Sequence, residues 1–197
     1  MPRVVDHDER RRQIARVVSD IAAERGLSDV SFREVAGRAG VSVSLVQHYF
    51  GDKANLLKTT LEIQSEIMSA HVAERLADLG TDPEPIDILR GVARAFLPID
   101  DVSRRSMLVY HGFAAAALTD PALRDSEMFT NGRILIGVFA AQLAQIGTDD
   151  TRHLDPDTAA TGLLSMLLGL SIAVLLEQTS AADAIAVVDA HLDRFHN

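Results

Sequence analysis

The sequence lacks cysteine and any long uninterrupted apolar segment, and each absence excludes a class of protein. Without cysteine there are neither disulfide bonds nor thiol chemistry, which fits a reducing compartment. The longest apolar run, residues 163–176, has fourteen residues including two serines and a glycine, whereas a bilayer span requires about 20. The charged N-terminus also lacks the apolar segment of a secretory signal. We therefore expect a cytoplasmic protein with no membrane association, in which this run forms a buried helix.

Sequence motifs for catalysis and metal binding are also missing. The chain has no Gly-rich phosphate loop, no G-x-S-x-G motif and no cysteine nucleophile. Glu62 and Glu66 lie one helical turn apart, but a di-metal site in a helical bundle requires Glu-x-x-His motifs from two helices, and the sequence contains none. We therefore expect no enzymatic activity, no cofactor and no metal.

Strand signals are absent, and helical periodicity runs through most of the chain. A capping box at residues 31–34 starts a short second helix, and Gly40 permits a turn before Ser42 caps a short third helix. The pair Gly51-Asp52 then ends the third helix and caps a long fourth one.

Beyond a linker at residues 80–85, the periodicity predicts five further helices, near 85–97, 101–118, 121–146, 156–177 and 181–195. The predicted fold is all-α with about nine helices. It comprises a three-helix N-terminal domain at residues 1–56 and a larger helical body at residues 57–197.

Charge is distributed unevenly between the two parts of the chain. The net charge is −9, but residues 1–60 carry ten Lys and Arg against eight Asp and Glu. Residues 61–197 carry nine against twenty. Only the N-terminal part can therefore approach a polyanion without long-range repulsion.

Two short helices joined by a Gly-containing turn, at residues 32–49, form the pattern of a helix-turn-helix. In that motif the second helix lies in the DNA major groove. Helical spacing turns Leu45, Val46 and Phe50 inward and leaves residues 43, 44, 47 and 48 on an outward face.

The outward side chains have the chemistry required to read a duplex. The Gln47 amide can pair with adenine, His48 can donate to phosphate or to a base, and Val43 can contact a thymine methyl group. The predicted DNA-binding residues are Arg33, Ser42, Val43, Ser44, Gln47, His48, Tyr49 and Lys53. Two alternatives stay open at this point: a helical protein-interaction module acting through residues 156–195, and a bundle enzyme with an unrecognised pocket.

Residues 10–57, with "SFREVAGRAGVSVSLVQHYF" followed by "DKANLL", resemble the N-terminal domain of the TetR family of bacterial transcriptional regulators. The resemblance implies base or phosphate contacts at Arg33 and phosphate contacts at Tyr49 and Lys53. The residues that match the recognition helix are Ser42, Val43, Ser44 and His48. The family commonly has Tyr where this chain has Gln47. The segment "LVQHYF" is instead similar to a subgroup with a C-terminal domain of the betaine-regulator type.

The resemblance further implies a homodimer that binds a palindromic operator, usually as a repressor, and that a small molecule releases. The last two helices, 156–177 and 181–195, would pair with their symmetry mates. The alternative is that both helices are only part of the protein's own core and form no interface.

We expect the effector to bind within the body, in a largely apolar pocket with few polar groups. Met and Phe at helical spacing also fit an ordinary core. His111 stands out because an imidazole among apolar neighbours needs a hydrogen-bond partner. That partner can be another group of the core or a bound ligand. The candidate contacts are Met107, Tyr110, His111, Phe113, Met128, Phe129, Asn131 and Met166.

Overall fold

The protein is described here from a computed structural model that covers residues 7–146 and 155–196, without the side chains of Glu127 and His196. Across these residues it is all-α, as predicted, with nine helices of two turns or more, one single-turn helix and a 3₁₀ turn. The α-helices are α1 (His7–Arg25), α2 (Phe32–Ala39), α3 (Val43–Phe50), α4 (Lys53–Ala77), α5 (Pro85–Ala95), α6 (Asp101–Ala117), α7 (Pro121–Arg124), α8 (Glu127–Ile146), α9 (Pro156–Leu175) and α10 (Ala181–His196).

The predicted helix starts around the helix-turn-helix are confirmed. The side chains of Ser31, Ser42 and Asp52 each accept a hydrogen bond from the backbone N–H three residues later, at 3.2, 3.2 and 2.8 Å. These bonds satisfy donors that a helix N-terminus otherwise leaves unpaired. Gly40 ends α2 with a φ of 65°, in the left-handed region that glycine adopts at little cost.

The single helix predicted over residues 121–146 is interrupted. Helix α7 ends at Arg124, and α8 begins only at Glu127. The Arg124 guanidinium donates to the carbonyl oxygens of Ala117 and Leu118, at 3.3 and 3.2 Å, and so satisfies the C-terminal end of α6. A second departure from the prediction is the 3₁₀ turn at Leu27–Asp29, which follows α1.

The chain divides into two compact units, and the first contains the helix-turn-helix. Unit 1 comprises Met1–Ile67 and Leu108–Phe129. Its core joins α1, α2 and α3 to the first part of α4 and to the second part of α6. Completely buried side chains in this core include Ile14, Val46 and Phe113. Residues of the predicted body therefore complete the core of the N-terminal helices.

Unit 2 comprises Met68–Met107 and Thr130–Asn197, and its core is built mainly from α5, α8, α9 and α10. Leu89, Leu163 and Leu192 are completely buried there. On one side of this core, Arg90 and Arg94 of α5 form ion pairs with Asp189 of α10, at 3.7 and 3.1 Å. These contacts fix α10 against α5 within the unit.

Helix α9 differs from the buried helix that the sequence predicted. Its most apolar window has a mean hydropathy of 1.9, and by length and composition the helix could cross a membrane. Only 33% of that window is buried within the structure. Ile172 and Leu176 are 42% and 61% exposed, so α9 turns one side into the unit 2 core and leaves the other uncovered.

Candidate functional site

The recognition helix presents its predicted face to solvent. Val46 and Phe50 of α3 are buried, at 0% and 1% exposure, and pack into the unit 1 core. Ser44, Gln47 and His48 are exposed. Because residues four apart share a side of a helix, burial of 46 and 50 turns 43, 44, 47 and 48 outward together.

Val43 belongs to the same outward face and is 39% exposed, although it is apolar. Ser42 and Ser44 lie beside it, with their hydroxyl oxygens 3.0 Å apart. The Ser42 hydroxyl also caps α3, so it holds the start of the helix as well as lying at the edge of the face. Small side chains here leave room for close approach by a base edge or a phosphate.

Two arginines of α2 have different surroundings. Arg33 is exposed near the start of the helix. Arg38 is bound by two carboxylates, those of Glu24 at 2.6 Å and Glu34 at 3.1 Å. The hydrogen bond to Glu24 is the main reason that the pKa of Arg38 is raised. The charge of Arg38 therefore holds α2 to α1, whereas the Arg33 side chain is exposed to solvent.

Tyr49 and Lys53 lie at the end of α3 and the start of α4. The Tyr49 ring is half-buried against the unit 1 core, and its hydroxyl oxygen lies 3.1 Å from Nδ1 of His7. Lys53 is exposed on the first turn of α4, immediately after the Asp52 cap. A helix N-terminus and a lysine together favour an anion such as phosphate.

Buried polar contacts fix the first part of α4 against α1. The Gln64 amide donates to the Ser19 hydroxyl at 2.7 Å, and both side chains are buried. Arg11 donates to Thr59 at 3.3 Å and lies over the Phe50 ring at 5.5 Å. Buried polar groups are costly unless they are paired, so these contacts specify one arrangement of the two helices.

Five of the predicted effector contacts lie in unit 1. Phe113 is completely buried in the core, and Met128 and Phe129 are half-buried against the same core. The Tyr110 ring contacts both Phe129 and His111, with ring centroids 5.8 and 5.4 Å apart. Burial raises the pKa of Tyr110 and lowers that of His111, so both side chains are favoured in their neutral forms.

The other three predicted contacts, Met107, Asn131 and Met166, belong to unit 2. Met107 is buried at 2% exposure, whereas Asn131 and Met166 are half-buried. Met166 packs against the core formed by α5, α8, α9 and α10. The structure thus divides the eight candidates between the two units, and their role in effector binding stays a prediction.

Sequence reasoning missed Ser126, which lies between α7 and α8. Its side chain is 4% exposed, and its hydroxyl oxygen has no hydrogen-bond partner among the described residues. A buried hydroxyl without a partner is costly unless a ligand or water satisfies it. No sequence signal marks this residue, because the break between α7 and α8 was itself not predicted.

A second cluster that the sequence did not indicate links α4 to the start of α6 within unit 2. Asp100 accepts hydrogen bonds from the Ser103 backbone at 2.7 Å and from Arg75, and His71 lies 3.5 Å away. Partial burial by itself raises the pKa of Asp100, but the bonds from Ser103 and Arg75, and the nearby His71, lower it overall. Among the described residues no group of three potential metal ligands occurs.

Comparison with known protein families identifies the family to which this chain belongs. The sequence model of a family described as "Bacterial regulatory proteins, tetR family" matches residues 19–60, which include the helix-turn-helix. A model described as BetI-type transcriptional repressor, C-terminal, matches residues 85–197, more than half of the chain. The chain belongs to the TetR family.

Individual relatives of this TetR-family protein agree with that assignment. It is 30% identical over 170 residues to the regulator BetI of Pseudomonas aeruginosa strain PAO1, covering 86% of this chain and 83% of that protein. A transcriptional regulator from Rhodococcus sp. RHA1 superposes with a TM-score of 0.82 at 28% identity, covering 94% of this chain and 95% of that one.

A structure of a Saccharomonospora viridis transcriptional regulator in complex with choline has a TM-score of 0.73, with 95% of each chain covered. At 22% identity it shows the shared fold alone.

The TetR-family assignment confirms three predictions from the sequence. The protein is a transcriptional regulator with a helix-turn-helix DNA-binding domain, and its family consists of regulators rather than enzymes. The C-terminal part is of the BetI type, as the segment "LVQHYF" indicated. The boundary predicted at residue 56, between the DNA-binding domain and the ligand-binding and dimerisation domain, stays a prediction. The two family models match residues 19–60 and 85–197, and residues 61–84 are matched by neither.

Proposed function

We propose that the protein is a cytoplasmic, ligand-responsive repressor that binds a palindromic operator as a homodimer and is released by a small-molecule effector. The observation that carries this proposal is the outward face of α3, held by capped helices on a buried core. An exposed valine, amide and imidazole lie together on one side of a short helix, turned away from the core. They match what a recognition helix needs in the major groove.

We propose specific roles for the eight DNA-binding residues. Gln47, His48 and Val43 contact base edges, and the small side chains of Ser42 and Ser44 allow the helix to approach the groove. Three further side chains, those of Arg33, Tyr49 and Lys53, contact the backbone or a nearby base. The exposure of Arg33 and Lys53 supports these roles.

The proposed dimer interface is formed by α9 and α10. The uncovered side of α9 carries the small residues Gly162, Ser165 and Gly169 and continues into Ile172. On α10, Val187 is 47% exposed among exposed alanines. Small residues permit close helix approach, and burying the exposed apolar groups stabilises an association.

We propose that the effector is a small molecule bound by a subset of the aromatic and methionine side chains named above, with Ser126 as an added polar contact. The ring contacts of Tyr110 support this, because aromatic faces bind apolar or cationic groups. Choline, bound by the structural neighbour from Saccharomonospora viridis, is one compound to test first.

Salt-dependent DNA binding tests the proposal. Counterion release predicts that the logarithm of the affinity for duplex DNA falls linearly with the logarithm of the salt concentration. Fluorescence anisotropy with a labelled duplex, measured over a series of salt concentrations, gives the slope. Affinity that is independent of salt would contradict phosphate contacts at this face. Addition of the effector should then lower the affinity at fixed salt.

A further inference from the structure

We infer that His7 is a positioning residue for DNA binding, which acts by directing the hydroxyl group of Tyr49 towards a backbone phosphate. The inference rests on the proposed DNA-binding role of Tyr49. It assigns a function to the first residue of α1, which lies 42 residues away in sequence and outside the helix-turn-helix. The two side chains are joined by a 3.1 Å contact between Nδ1 and the hydroxyl oxygen.

The surroundings of Tyr49 make this contact decisive for the orientation of its hydroxyl group. The ring is half-buried against the unit 1 core and also contacts the rings of Phe50 and His48, with centroids 6.4 and 5.8 Å away. The His7 ring lies 5.8 Å from it and is tilted by 55°. Packing therefore fixes the ring, and the remaining freedom is the rotation of the O–H bond.

The direction of the hydrogen bond determines what Tyr49 can do next. A tyrosine hydroxyl has one hydrogen to donate and lone pairs to accept. If His7 donates through Nδ1, the Tyr49 hydrogen stays available to a phosphate oxygen, which only accepts. If Nδ1 is unprotonated, it accepts that hydrogen and the hydroxyl cannot donate to DNA. Binding a phosphate therefore selects the state in which His7 donates, and a donated bond strengthens the next one in the chain.

Two substitutions at His7 distinguish the loss of its hydrogen-bond donor from a general disturbance of the surrounding surface. His7→Asn keeps an N–H donor close to the position of Nδ1, whereas His7→Leu removes it. We expect His7→Leu to raise the Kd for duplex DNA about 3- to 10-fold, the effect of one lost hydrogen bond. His7→Asn should restore most of the affinity. The probe is a labelled random-sequence duplex at fixed salt, because a phosphate contact does not depend on sequence.

A double-mutant cycle with Tyr49→Phe provides the decisive readout. In the Tyr49→Phe background the acceptor is gone, so His7→Leu should have no further effect. Gln13→Ala, an exposed change on the same helix, is the matched control, and circular dichroism checks that every variant keeps its helix content. Equal losses from His7→Leu in both backgrounds, or no loss in either, would overturn the inference.

The same experiment distinguishes failure of this inference from failure of the proposed function. If the wild-type protein binds duplex DNA but Tyr49→Phe does not change the affinity, Tyr49 is not a phosphate contact and the role of His7 is refuted, while DNA binding stands. If the folded wild-type protein binds no duplex at any salt concentration, the proposed function itself is refuted, and this inference with it.

Discussion

At the scale of single residues, the burial pattern of α3 decides which side chains are available to DNA. Val46 and Phe50 are fixed in the core, so the face containing Gln47 is fixed outward. Helical spacing and caps are local properties, and the sequence therefore predicted this face correctly. The contact between His7 and Tyr49 was not predictable, because it joins residues 42 positions apart whose proximity depends on the packing of α1 against α3.

Gln47 and Lys53 should differ in how their removal affects DNA binding. Lys53→Ala should weaken binding to all sequences alike and reduce the salt slope by about 1 for each bound protomer. Gln47→Ala should instead relax preference at one base position, where a bidentate amide contact contributes about 1–3 kcal/mol of discrimination. Binding measured against a set of single-base operator variants separates the two patterns.

The matched control for Lys53 is Lys58→Ala, since Lys58 is also exposed on α4 but lies beyond its first turn. Unchanged affinity and unchanged base preference in both the Lys53 and the Gln47 variants would show that the recognition face is assigned incorrectly.

At the scale of helices, α6 is divided between the two compact units, and only its second part contributes to the unit 1 core. The apolar periodicity located the helix, but it cannot show which partners each turn meets. The break between α7 and α8 was missed for a related reason. The apolar pattern continues across residues 121–146, whereas the interruption depends on Arg124 binding the carbonyl oxygens at the end of α6.

Phe113→Ala tests whether α6 supports the unit 1 core. Phe113 is completely buried, so truncation should lower the free energy of unfolding by about 3–5 kcal/mol through lost burial and a residual cavity. Urea denaturation of the ligand-free protein measures the change, with Leu118→Ala, at a site 79% exposed, as the control. A change as small as that of the control would contradict a core role and favour Phe113 as part of an effector cavity.

Asp100→Asn tests the cluster that links α4 to α6. The pKa of Asp100 is lowered in the folded state, so its charge stabilises the fold above the unfolded-state pKa of about 3.9. That stabilisation is lost as the pH falls through the lower, folded-state value. Asparagine still caps a helix, so the variant removes mainly the charge interaction with Arg75 and the nearby His71.

We therefore expect Asp100→Asn to be less stable than the wild type near neutral pH, and the difference to shrink as the solution is acidified below the unfolded-state pKa. Urea denaturation at a series of pH values measures it. A difference that stays constant down to the lowest pH at which both proteins fold would show that the carboxylate charge does not stabilise the cluster. Asp101→Asn, an exposed neighbour, is the control.

At the scale of the whole molecule, the sequence predicted the fold class, the helix count and the family, because long periodic segments and a motif of rigid spacing carry that information. It did not predict that only one side of α9 is buried within the chain, since composition alone cannot distinguish a helix buried on all sides from one buried on a single side. The sequence also did not predict that the eight candidate effector residues are divided between two compact units.

The proposed dimer interface can be tested by placing a charge on the uncovered faces of α9 and α10. Ile172→Glu or Val187→Glu should give monomers, because a carboxylate buried without a partner opposes association. Sedimentation velocity measures the oligomeric state, and Val102→Glu, a 46% exposed position on α6, is the control. Loss of the second DNA-binding domain should weaken operator binding by about 10²-fold or more. Dimers that persist in both variants would place the interface elsewhere.

The most direct test of the central proposal is selection of binding sites from a random duplex library at near-physiological salt. A homodimer with one recognition helix per protomer should enrich an inverted repeat whose half-sites are centred about 10 base pairs apart or a little more. Protein that is folded by circular dichroism and free of bound ligand by native mass spectrometry, yet enriches no sequence, would contradict the proposal that the face of α3 reads an operator.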